Sequence, residues 1–220
     1  MRRLIHVPIV HGQADLGPIR ERVRQAYIEK GGEAAWKASR EALAEFWDAM
    51  EIAMDRIPLD FTKVRLYQDG LPVCGLEEKI VRDLAQQGGA NYRILLKLAE
   101  RGAKIEGTED PDLLRKEYEL IMASVRTGAG SLGADAAKDG NAGVFRDLLE
   151  RRDRFIAQRI DKTLQAGETG ILFLGALHRA TAMLPDTIRV TSLSEFLRAG
   201  GANSSDISSG YSARQDTIGN

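Results

Sequence analysis

Short apolar runs recur along this chain, each followed by a longer amphipathic stretch, and that alternation limits the fold more than any other feature. Strands separated by helices pair in parallel through crossover connections, with the helices covering the sheet. The clearest run is Gly170-Ile171-Leu172-Phe173-Leu174-Gly175, which reads as a buried strand leading into Ala176-Leu177-His178. Leu4 to Val10 reads as another, although Pro8 has no N–H for the ladder and points to an edge position or a bulge. Thr62 to Gln68 alternates Val64 and Leu66 with Lys63 and Arg65 and stops at the turn signal Asp69-Gly70. Ala103 to Glu106 and Ile188 to Val190 complete the strand set.

Between these runs the apolar residues return at helical spacing. Gly17 to Lys30 carries Ile19, Val23 and Tyr27, and Gly31-Gly32 stops it. From Glu33 to Ile57 one stripe holds Trp36, Leu43, Trp47, Met50, Met54 and Ile57, and Pro58 ends the helix. Helices follow over residues 76–87, 91–101 and 112–126, the last capped by Thr108 or Asp110 and showing Leu114, Tyr118, Ile121 and Val125 on one face. Val144 to Gln165 forms the longest late helix, and Ser194 to Arg198 a short final one. The expected architecture is therefore α/β, a short mixed or parallel sheet surrounded by long amphipathic helices. Residues 1–198 form one domain, with a disordered tail over 199–220 where Gly, Ser, Asn and Asp dominate. Residues 127–143, rich in Gly, Ala, Ser and Asp, read as a mobile loop and candidate lid.

Charge and cysteine content narrow the partners. The 31 basic and 32 acidic side chains leave a net charge of -1, without the basic excess of nucleic-acid or anionic-membrane binders. No segment approaches a membrane span, the N-terminus lacks the long apolar stretch of a secretory signal, and the lone Cys74 permits no internal disulfide, so the expected location is cytoplasmic. The apolar stripe of the long helix at 33–57 leaves a homo-oligomer open.

In parallel sheets, ligands gather beyond the carboxyl ends of the strands. Those positions hold His11, Asp69, Glu109 and His178. Imidazole nitrogen and carboxylate oxygen suit a first-row divalent ion, here manganese, zinc, cobalt or iron, and a non-ligating carboxylate can serve as general base. Taken one by one, each residue also has an ordinary structural use. Asp69 precedes a turn glycine, Glu109 opens a helix, and either histidine can cap a chain end. Arg152 falls near the centre of the apolar stripe Phe145, Leu149, Ile156 and Ile160, with Arg159 close by. A buried arginine requires a partner, so Arg152 either snorkels past the core or meets a carboxylate or a substrate anion.

Several blocks, in order, resemble the TraB/GumN and Tiki group, related to the erythromycin-esterase and ChaN-like proteins. Leu4 to Gly12 is similar to the opening strand that ends in the group's GxxH motif, with Pro8 in place of the glycine before His11. Residues 101–109, Arg-Gly-Ala-Lys-Ile-Glu-Gly-Thr-Glu, resemble its strand ending in a Leu-Glu-Thr-type motif. Arg151-Arg152-Asp153 is similar to its Glu-Arg-Asn block, of which only the arginine is kept, and Gly175-Ala176-Leu177-His178 matches the second GxxH. The resemblance implies a sheet core on which His11, His178 and Glu109 meet at one edge, and we read these three as metal ligands or acid–base groups. Arg152 is then expected to bind a substrate anion or developing oxyanion, and Asp69, from its own strand-end position, to orient a histidine or act as base. It implies a metal-dependent hydrolase of peptide, ester or related acyl bonds, acting on a small-molecule or peptide substrate. The alternative is a non-catalytic protein of the same fold that binds a small molecule or haem.

Overall fold

A computed structural model describes residues 1–9, 20–126 and 142–199. Five strands form one sheet: β1 (Arg2–Ile9), β2 (Val64–Gln68), β3 (Lys104–Glu106), β4 (Thr169–Gly175) and β5 (Ile188–Ser192). Their spatial order is β3-β2-β4-β1-β5, and every pairing is parallel. The helices are α1 (Arg20–Asp55), α2 (Glu77–Gln86), α3 (Ala90–Glu100), α4 (Pro111–Arg126), α5 (Ala142–Thr163) and α6 (Leu193–Ala199). Among the described residues no helix is long and apolar enough to cross a membrane.

The strands β1, β2 and β4 bury apolar side chains on both faces because helices cover both. On one face Ile5, Val7, Ile9, Leu66, Ile171 and Phe173 join Phe46, Trp47, Met50 and Met54 of α1 and residues of α2, α3 and α6. Opposite them, Leu4, Tyr67, Leu172 and Leu174 pack on Ile156 and Ile160 of α5. Alternate residues of one strand therefore enter different cores, as the two-residue strand period requires. Fully burying one such side chain stabilises the fold by about 1.5–3 kcal/mol.

Several expectations need adjustment. Pro8 marks no edge: β1 lies inside the sheet, and Pro8 pairs with Leu174 of β4 in regular register. Its missing donor is tolerated because pairing with β5 has already stopped at His6 opposite Ser192. α1 is two helices meeting at Gly32, as expected from Gly31-Gly32: its φ of 81° and ψ of 167° lie outside helical space. Glycine adopts that conformation without strain, so the first helix ends there and the second starts directly after it. Only the C-terminal half of the Trp/Met stripe enters the core, since Trp36 stays partly exposed against Tyr27, ring centroids 5.4 Å apart. Asp110 is the α4 cap, its carboxylate accepting the N–H groups of Asp112 and Leu113. On α4 Leu114 and Ile121 of the expected face are half-buried, but Tyr118 is exposed and Leu113 is the buried residue instead. Residues 127–141 of the glycine-rich segment and residues 200–220 lie outside the described residues.

Candidate functional site

Two loops that leave neighbouring strands are zipped together at the carboxyl edge of the sheet. Thr108 and Glu109 donate their N–H groups to the carbonyl of Leu71 at 2.9 and 3.0 Å, and Val73 donates to the carbonyl of Glu109 at 2.8 Å. Gly107 permits this approach, because a Cβ there would stand 2.7 Å from Val73 Cα and 2.8 Å from the Pro72 carbonyl oxygen. Thr108, not needed as a helix cap, accepts the Gln68 N–H at 3.0 Å and so ties the β3 loop to the end of β2. The zipper carries Glu109 next to Asp69. Gly70 then donates its N–H to Glu109 Oε1 at 2.9 Å, and Gly175, the last residue of β4, donates to Asp69 Oδ2 at 3.0 Å.

The third contribution comes from α5, which packs on this face of the sheet and precedes β4. Arg152 and Asp153 project from neighbouring positions of that helix, and both are buried. Arg152 gives Nε to Glu109 Oε2 and Nη2 to Glu109 Oε1, both at 2.6 Å, and Nη2 also reaches Asp69 Oδ1 at 3.0 Å. Its remaining nitrogen, Nη1, donates to Glu117 of α4. The buried arginine thus meets carboxylates, one of the outcomes the sequence left open. Asp153 holds the turn after β4: its Oδ1 bonds His178 Nδ1 at 2.6 Å and its Oδ2 accepts the Arg179 N–H at 2.8 Å. So held, His178 points Nε2 at Asp69, 3.5 Å from Oδ1.

One ligand atom from each of Asp69, Glu109 and His178 lies within 4.8 Å of the others, a group that could hold a metal ion. Three of the four residues expected at strand ends are therefore brought together. His11 lies outside the described residues, two positions after the last residue of β1. Asp153 and Glu117 were not anticipated. An acidic residue three positions before Ile156, on the buried side of α5, was the available signal for Asp153. Glu117 had none, since acidic residues are common along α4.

Electrostatics set this cluster apart. Asp69, Glu109, Asp153 and Glu117 offer four carboxylates to one guanidinium and one imidazole. Burial pushes the Glu109 carboxyl above its ordinary value, against the opposing pull of Arg152. Burial alone would lower His178, but Asp153 and the neighbouring Asp69 outweigh it and raise the imidazole to about 9. Both shifts are toward proton uptake, as expected where carboxylate charge exceeds the cations present. Arg152 stays protonated, because three carboxylates more than offset its burial.

The donor set fits a divalent cation on two counts. One imidazole nitrogen and two carboxylates match first-row metal preferences, and the carboxylate–histidine pair Asp153–His178 is the outer-shell arrangement that orients a ligating histidine. A divalent charge would also offset the surplus of buried carboxylate.

No family model, curated protein or solved structure matches this chain.

Proposed function

We propose that this protein is a metal-assisted hydrolase of a peptide, ester or related acyl bond, with Asp69, Glu109 and His178 as the ligands of a divalent ion. The observation that supports this reading best is the buried nitrogen–oxygen set at the carboxyl edge of the sheet, with His178 oriented from behind by Asp153. When bound, such an ion would polarise an acyl carbonyl and make a water molecule more acidic. The chain's own residues do the rest. Asp153 fixes the imidazole through Nδ1 and leaves Nε2 facing the cluster. The Gly175 N–H orients Asp69, and the Gly70 N–H orients Glu109, so neither carboxylate can rotate freely. Arg152 offsets part of the carboxylate charge and keeps α5 against the two loops. His11, two residues beyond β1, is proposed as an additional ligand or acid–base group.

Elemental analysis by mass spectrometry of wild type beside His178→Ala, Glu109→Gln and His11→Ala tests the reading. Near-stoichiometric manganese, zinc, cobalt or iron in wild type, lost in the first two variants, is the expected result. Hydrolysis of aryl esters and short peptides should fall with it. A wild type that carries none of these ions and takes up none on reconstitution would sink the metal, and haem or small-molecule binding would then be the function to examine.

A further inference from the structure

The positive charge nearest the proposed ligands belongs to the chain. Arg152 engages both oxygens of Glu109 and one of Asp69, the same oxygens a divalent ion would need. A guanidinium and a divalent ion on those oxygens would repel each other in a setting with little water to screen them. His178, meanwhile, is aimed into the cluster with Nδ1 taken by Asp153, and its Nε2 stands 3.5 Å from Asp69 Oδ1. That separation is longer than a normal N–H···O bond. A buried ligand nitrogen therefore faces carboxylates that an arginine currently occupies.

The fourth contact of Arg152 offers it another place. Nη1 is bonded to Glu117 on α4, and the side-chain exposure rises from 0% at Glu109 and 5% at Arg152 to 31% at Glu117. The guanidinium thus spans from the interior to the rim, with its outer nitrogen already on the partner nearest solvent. Arginine has several rotatable bonds before its planar head, so the head can leave Glu109 and Asp69 while Nη1 keeps its carboxylate.

We propose that Arg152 is an exchangeable counter-ion: it holds the carboxylates of Asp69 and Glu109 together in the ion-free protein, and a divalent ion displaces it onto Glu117. This rests on the metal reading given above, and it adds a competition between the ion and a residue of the chain. In the ion-free state the arginine prevents two buried carboxylates from repelling each other, which keeps the site assembled. In the loaded state Glu117 receives the charge that would otherwise oppose the ion.

Calorimetric titration of the metal-stripped full chain with Mn2+ tests this with wild type, Arg152→Met and Glu117→Gln, each first shown to be folded by circular dichroism. Removing the competitor should tighten Mn2+ binding by about tenfold or more, because a like charge leaves the ligands. Removing the landing site should weaken binding by about tenfold, within the range carried by outer-shell partners. Nitrogen NMR of the arginine side chains, read with diamagnetic Zn2+, should show the Arg152 Nε–H resonance moving on loading. If Arg152→Met does not fold, the exposed-edge variant Glu117→Gln and the NMR readout still decide. Unchanged affinity in Glu117→Gln with an unmoved Arg152 resonance would overturn the exchange while leaving the metal site intact. Weaker binding in Arg152→Met would overturn it too, making the arginine a support of the loaded site. Mn2+ binding by Arg152→Met but not by wild type would make the arginine a permanent occupant. No binding by any of the three proteins would remove the metal reading, and the exchange with it.

Discussion

Two ionic clusters line the same face of the sheet under α5, and they are built on opposite terms. At the site, one arginine serves three carboxylates, all but Glu117 almost fully buried, and His178 is held by a fourth. Seven residues along α5, Arg159 bonds Glu106, which also receives Arg65 and Lys104, while Arg65 reaches Glu168 with Nε at 2.6 Å. There three cations serve two carboxylates, and only Glu106 is deeply buried. The lower cluster is neutralised from within the chain and opens to water, as a cluster that serves only stability would be. The upper one keeps a surplus of buried negative charge, which costs folding free energy and is intelligible if something outside the chain binds there.

The sharpest way to break this comparison is to remove one arginine from each cluster. Arg152→Met leaves Asp69 and Glu109 buried without a cation, and urea unfolding of the ion-free protein should show a loss of about 3–5 kcal/mol. Arg65→Met should cost much less, about 1 kcal/mol, because Glu168 can turn to solvent. Equal losses would mean that the two clusters do not differ in kind. Next in size is Asp153→Asn, which keeps the shape of the side chain but weakens its hold on His178. Mn2+ affinity should fall by about 10–100-fold, and the ion-free protein should lose stability as well, because Asp153 is the main group holding the His178 imidazolium.

Acid and alkali should separate the clusters further. The folded pKa of His178 is raised to about 9 from an ordinary 6.5. Its stabilising contribution is thus full below the ordinary value and lost as pH rises through about 9. Glu168 is held below its ordinary 4.5, chiefly by its hydrogen bonds from Arg65. Its contribution is present above the ordinary value and lost as pH falls through the lower folded one. Melting temperature against pH, in the absence of divalent ions, should lose its alkaline decline in His178→Gln and part of its acid decline in Glu168→Gln. If either variant flattened the opposite limb, the assignment of charge states would be wrong. The smallest expected effect is a surface control. Breaking the exposed pair Lys79–Asp83 on α2 should change stability by about 0.3–0.5 kcal/mol, within reach only of careful denaturant titration.

Local patterns along the chain settled a good deal of this. Short apolar runs such as Ile171 to Leu174 and the stripe from Trp47 to Ile57 announce a layered α/β protein, because strand and helix periods differ and only one fits each segment. Strand ends picked out Asp69, Glu109 and His178 for the same reason, since a residue just past an apolar strand stands at the sheet edge in any parallel arrangement. Pairing was beyond that kind of reading. The order β3-β2-β4-β1-β5 places Pro8 in the interior of the sheet, and nothing local to Pro8 tells which strand lies on either side. Nor could spacing reveal that Arg152 answers Asp69 and Glu109, or that Asp153 stands behind His178. These partners lie 83, 43 and 25 residues apart along the chain. Periodicity is a property of one segment, whereas a buried charge is resolved only by whichever segment the fold brings against it.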